Sequence, residues 1–199
     1  MFYSLENLNL ELFYAVNRLN GGEVYNAMML LATDVSSRDN FPIYLALFAI
    51  PLLSARLPIR LLWRKVLFVF AAAFLLDLMF VEWAKHYFHC PRPFVILPPE
   101  TIHFIGAPMQ RTEYYLSYPS GHASFAGLLA ASTWPALNRI GKGCVLVFVF
   151  WTCWSRVAIG AHFPADVLAG AASAMALVAL TRIVTQSFGI FNEPRNAKE

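Results

Sequence analysis

Apolar residues in this chain fall in long unbroken runs. Four stand out, at about 66–84, 121–137, 143–160 and 164–186, each near the roughly 20 residues a helix needs to cross a bilayer. A fifth, Phe41 to Ala55, is shorter, and Val24 to Ala32 joins the preceding segment as a bent first span. Barrel strands alternate polar and apolar positions with a period of two, whereas stretches such as VLFVFAAAFLL are apolar on every face and read as helices. The pattern predicts an all-α, polytopic membrane helical bundle of about six helices, or five, forming one domain over 1–199. Internal repeats are absent. The opening MFYSLENLNLELFYAVNRLN carries acids where a signal peptide would be basic, and reads as an amphipathic segment.

One long polar interruption, Cys90 to Tyr118, is rich in proline. Exposed backbone groups in hydrocarbon cost several kcal/mol each (about the price of a lost hydrogen bond or more), so this stretch is expected to be an extramembrane loop or a cap over a site.

Composition agrees with the pattern. Of 199 residues, 58% are hydrophobic and 14% charged, with mean hydropathy +0.53. Soluble domains carry about 25% charge. That deficit excludes a disordered chain, a coiled coil and a nucleic-acid module, and a net charge of +3 is too small to argue for a polyanionic partner. Cys90, Cys144 and Cys153 have neither disulfide nor zinc spacing.

Where the charges lie matters more than their sum. Arg56, Arg60, Arg64 and Lys65 crowd one connection, Arg139 and Lys142 the next on that side, and Arg182, Arg195 and Lys198 follow the last helix. The positive-inside tendency makes that face cytoplasmic. Trp63 and Trp134 fall near that boundary, Trp83, Trp151 and Trp154 near the other.

On the opposite face, helix ends bring Lys85, Arg92 and Arg156 to one depth with His122 and His162. Three fixed cations invite an anion. Arginine matches phosphate with planar paired donors, lysine adds a point charge, and the Ser120-Gly121 backbone at a helix start offers N–H groups. Two imidazoles beside a phosphate suit chemistry: one attacks phosphorus, the other protonates the departing oxygen. Pro164 opens the last helix, so Asp166 lies in its first turn, in reach of His162. These residues give His162 as nucleophile, Asp166 as its orienter and His122 as general acid, with the cations stabilising the phosphoryl oxygens.

The order Lys85-x6-Arg92-Pro93, Pro119-Ser120-Gly121-His122 and Ser155-Arg156-x5-His162-x3-Asp166 resembles the type 2 phosphatidic acid phosphatase (PAP2) superfamily at eleven positions in three blocks. The resemblance implies a metal-independent phosphatase without cofactor that passes through a phosphohistidine. It implies Lys85, Arg92, Ser120, Gly121 and Arg156 as phosphate ligands. The compact chain looks like the undecaprenyl diphosphate phosphatases among bacterial members, with the site facing the periplasm from the inner membrane. Phosphatidylglycerophosphate and lipid A 1-phosphate are rival substrates, and a lipid phosphotransferase would use the same residues. A non-catalytic lipid-binding or transport protein is the reading from another class. Membrane lipids and the lipid phosphate itself are the partners implied, with no nucleic acid and no obligatory protein.

Other polar residues invite plainer readings. Glu82 is expected to pair with Lys85 three residues on, and Asp77 to find a polar partner on another helix. His86, His89 and His103 are interfacial. Tyr114, Tyr115 and Tyr118 read as interfacial anchors, and Arg111 as a contact for a head group or second phosphate.

Overall fold

The computed structural model describes residues 6–19, 21–106, 110–188 and 190. Met109, Arg195 and Lys198 lie outside the described residues. The elements are α-helices joined by 3-10 turns and loops, and the chain is a helical membrane bundle: α1 (Glu6–Asn17), α2 (Gly22–Val35), α3 (Phe41–Ala49), α4 (Leu57–Phe88), the short α5 (Pro93–Ile96), α6 (Gly121–Thr133), α7 (Arg139–Ala158) and α8 (Pro164–Ser187).

Among the described residues, three helical stretches are long and apolar enough to cross a membrane: Leu57–Ile96, Arg139–Ala158 and Pro164–Ser187. The other expected apolar segments are also helical but shorter, since α2 has 14 residues, α3 nine and α6 thirteen. Pro135 sits in the 3-10 turn that closes α6, so the 121–137 run stops early as a helix. At its other end α4 starts well before 66, with Pro58 in its first turn. Arg60, Arg64 and Lys65 therefore belong to its opening turns and not to a connection, their long stems leaving the charged heads free to reach the interface. Arg139 and Lys142 likewise lie in the first turn of α7, and Arg182 lies within α8 and not after it.

The outer surface of the bundle is apolar, unlike that of a soluble protein. Leu75 and Met79 on α4, Ile140, Val147 and Phe150 on α7, and Leu168, Leu180 and Ile183 on α8 are exposed, a surface suited to lipid. Asp77, Ser124, Ser155, His162 and Asp166 are buried.

Helix α6 is the central rod. Its Phe125, Leu128 and Leu129 join Phe70, Ala73 and Phe74 of α4 and Ala174 and Val178 of α8 in the main core. Rings reinforce this core, with Phe41 stacked on Phe74 at 3.9 Å between centroids. Small residues let α6 and α8 touch backbone to backbone. A Cβ on Gly127 would lie 2.8 Å from the Ala171 carbonyl oxygen, and one on Gly170 would collide with the Ser120 carbonyl. That contact fixes the height of α6 against α8, and so of His122 against His162.

Candidate active site

Helix α4 ends at His89, whose φ of +47° is left-handed, and its backbone N–H closes on Lys85 O. The turn sends the chain back toward the bundle, where Arg92 N bonds Tyr114 O at 2.9 Å and Ser117 N bonds Cys90 O at 3.0 Å. The interruption is thus a folded cap whose two ends are laced together. It carries Arg92 into the interior, where the side chain is 5% exposed.

Helix α6 begins at Gly121 after an extended Ser120. The N–H groups of its first turn precede the first internal helix bond and form its positive end. Ser120 N is fixed to Asp166 O at 3.0 Å, which ties this turn to α8. The Ser120 hydroxyl is buried without a hydrogen-bond partner.

Helix α7 ends in a tight turn at Gly160, with φ of +78°. A Cβ there would lie 2.9 Å from His103 O, so glycine serves both the conformation and the close approach. Asn17 of α1 clamps the same turn, donating to His103 O at 2.7 Å and Ala158 O at 2.9 Å and accepting from His103 N at 2.8 Å. His162 follows, and Asp166 caps α8 by accepting from Phe163 N at 2.9 Å.

These elements bring the predicted residues together. Arg92 Nη1 lies 3.2 Å from His162 Nε2, and the same guanidinium donates to the carbonyls of Glu113 and Ala161 at 2.9 and 3.2 Å. Arg156 donates from Nη1 to Thr33 Oγ1 at 3.1 Å, while its Nε is buried and unpartnered. The fields of Lys85, Arg92 and Arg156 act on both His122 and His162, and His122 acts on His162. His162 sits in the turn between helices, and its pKa falls well below 6.5, first through burial and then through Arg92 and Arg156.

Asp166 lies in reach of His162, its Oδ2 3.6 Å from Nδ1, and Ser117 bridges the two, donating to Asp166 Oδ2 at 2.6 Å and lying 3.4 Å from Nδ1. One expectation needs correction. Glu82 pairs with His86 at 3.0 Å, not with Lys85, because the i,i+4 partner projects to the same outer side of α4 while Lys85 turns inward.

Three neighbours lie outside the motif blocks. Ser117 bridges histidine and carboxylate, and Thr33 holds Arg156. Arg38, in the turn before α3, bonds Asp77 Oδ2 at 2.8 Å. Asp77 also accepts from Ser124 of α6, so it has the polar partners expected of it. Arg111 is exposed.

Among the described residues, no group of three His, Cys, Asp or Glu side chains is arranged to hold a metal ion. The cup is made of donors and cations, which suits an anion.

Comparison with known proteins follows the same outline. The PAP2 superfamily model matches residues 65–189. The Escherichia coli (strain K12) protein named "Putative undecaprenyl-diphosphatase YbjG" is 30% identical over 194 residues, 93% of this chain and 86% of that protein. A lipid A 1-phosphatase of Rhizobium johnstonii is 31% identical over 96 residues, 46% of this chain and 39% of the relative. The crystal structure of Aquifex aeolicus LpxE superposes with a TM-score of 0.75 at 22% identity, covering 88% of this chain and 95% of that one, a likeness of fold.

Proposed function

The chain belongs to the PAP2 superfamily of phosphatases, and from that membership we propose that it hydrolyses a lipid diphosphate of the undecaprenyl diphosphate class. The site would face the periplasm from the inner membrane. Likeness to the Escherichia coli relative over nearly the whole of both chains supports that substrate class. The observation that carries the chemistry is the gathering of His162, His122 and the cations Lys85, Arg92 and Arg156 at one end of the bundle.

In this reading the terminal phosphoryl group sits among Lys85, Arg92, Arg156 and the Ser120-Gly121 turn. Nε2 of His162 attacks phosphorus and a P–N bond forms. The P–O bond to the leaving group breaks, and that oxygen takes a proton from His122. Water then attacks the phosphohistidine, giving its proton to His122, and phosphate departs. An arriving phosphate dianion offsets the cationic field at His122 and favours the protonated ring. The whole of 1–199 works as one domain, because Asn17 and Thr33 of the first two helices brace the turn and the arginine used here.

Phosphate release from undecaprenyl diphosphate, phosphatidylglycerophosphate and lipid A 1-phosphate, measured in excess chelator, tests this. The diphosphate is expected to give the highest kcat/KM, with vanadate inhibiting. His162→Ala should keep lipid binding and lose turnover. Release persisting in that variant, or strict dependence on a divalent ion, overturns the mechanism. Binding without turnover in the unaltered chain points to a carrier, and phosphate appearing on an acceptor lipid points to a phosphotransferase.

A further inference from the structure

Arg38 is paired on one edge of its guanidinium and unpaired on another. Its Nη2 bonds the buried Asp77 at 2.8 Å, but the rest of the guanidinium lies against Gly121, the first residue of α6. A Cβ on Gly121 would come within 3.2 Å of Cζ and 3.4 Å of Nε, so the guanidinium packs closely on this glycine. Nε is buried and has no hydrogen-bond partner. A positive group beside the positive end of a helix is repelled, and a buried unpaired donor is unfavourable. An anion at this point would relieve both.

The position within the cup gives that anion an identity. Arg38 is among the cations whose fields act on His122 and on Lys85. His162 instead feels chiefly Arg92 and Arg156, and its ring contacts Arg92 and Ser117. Arg38 packs on Gly121, the residue before His122, and so lies at the His122 end of the cup. In-line transfer places nucleophile and leaving group on opposite sides of phosphorus.

We propose that Arg38 holds the phosphate of the leaving group when the substrate is a lipid diphosphate, and so determines preference for diphosphates over monophosphates. This rests on His162 as nucleophile and His122 as acid. The bond that breaks joins the terminal phosphorus to the bridging oxygen. That oxygen takes the proton of His122 and departs in a lipid monophosphate, whose phosphate stays paired with Arg38 until release. A lipid monophosphate leaves as an alcohol and offers Arg38 no charge to bind.

Farnesyl diphosphate and farnesyl monophosphate, one tail with two phosphates or one, provide the test on the full purified chain. The double variant Arg38→Gln/Asp77→Asn removes the ion pair without leaving a buried carboxylate unpaired. It should lower kcat/KM for the diphosphate about tenfold or more and for the monophosphate less than about threefold. Arg38→Lys keeps a charge for Asp77 and loses the planar fork, so it should shift the ratio the same way by a smaller factor, and it decides the matter if the double variant does not fold. Equal losses on both substrates, an unchanged ratio, or wild-type activity confined to monophosphates overturns the proposal and leaves the phosphatase mechanism standing. Turnover of neither lipid by the wild type, or of both by His162→Ala, would instead sink the mechanism beneath it.

Discussion

Arg92 and His162 meet across a 3.2 Å contact that only one placement of protons permits. Arginine has donors and no acceptor, so Nε2 of the imidazole must carry the lone pair. The ring proton is therefore on Nδ1, toward Ser117 and Asp166. In the proposed mechanism Arg92 holds the attacking nitrogen, and on substrate arrival its donors would turn to phosphoryl oxygens. Arg92→Lys keeps the charge but cannot span the ring and the carbonyls of Glu113 and Ala161. A fall in kcat of about 100-fold or more is expected despite the conservative exchange, checked by steady-state phosphate release.

Ser117 links Asp166 to His162, so removing its hydroxyl leaves the carboxylate and the ring without their bridge. Ser117→Ala should lower kcat by about 10- to 100-fold, the worth of one hydrogen bond to a charged group, with KM little changed. Kinetics on the folded variant check this, and a change confined to KM would place Ser117 with substrate instead.

The lowered pKa of His162 predicts the direction of the pH profile. A base whose pKa is lowered stays neutral as pH falls from 7 through 6.5 and loses its lone pair only below that. The enzyme's acid limb in kcat/KM should have its midpoint under 6.5, once the substrate's own ionisation has been measured separately by phosphorus NMR. Replacing Arg92 by Gln removes a cation next to the ring and should move that midpoint upward.

The backbone contact between α6 and α8 leaves no room for a methyl group. Gly170→Ala should destabilise the protein by about 1–3 kcal/mol and reduce activity, because the carbonyl it strikes belongs to Ser120. Gly143 on α7 has nothing within 4 Å of an added Cβ, and Gly143→Ala should be neutral or gain about 0.5–1 kcal/mol. Thermal unfolding in detergent compares the two.

Much of this site was legible because its residues sit at helix ends that hydropathy locates. Lys85, Arg92, Ser120, Gly121, His122, Arg156, His162 and Asp166 read from spacing alone as a set that one face would collect. Ser117 escaped because it lies in the proline-rich cap, where no periodicity says which side chain turns inward. Arg38 left a signal, being one of six basic residues away from the basic face, but Asp77 lies 39 positions on and nothing local joins the two. Glu82 went to His86 because helix spacing offers both i,i+3 and i,i+4 partners and only packing chooses. The early end of α6 was hidden by a run that stays apolar through Trp134 and Pro135 without staying helical.

Asn17 bonds His103 across 86 positions and Ala158 across 141. The turn that carries His162 therefore reaches its final shape only after most of the polypeptide has been synthesised and threaded into the bilayer. A ribosome-bound intermediate lacking α7 has no functioning centre, so the onset of lipid turnover during translation would act as a clock for completed insertion.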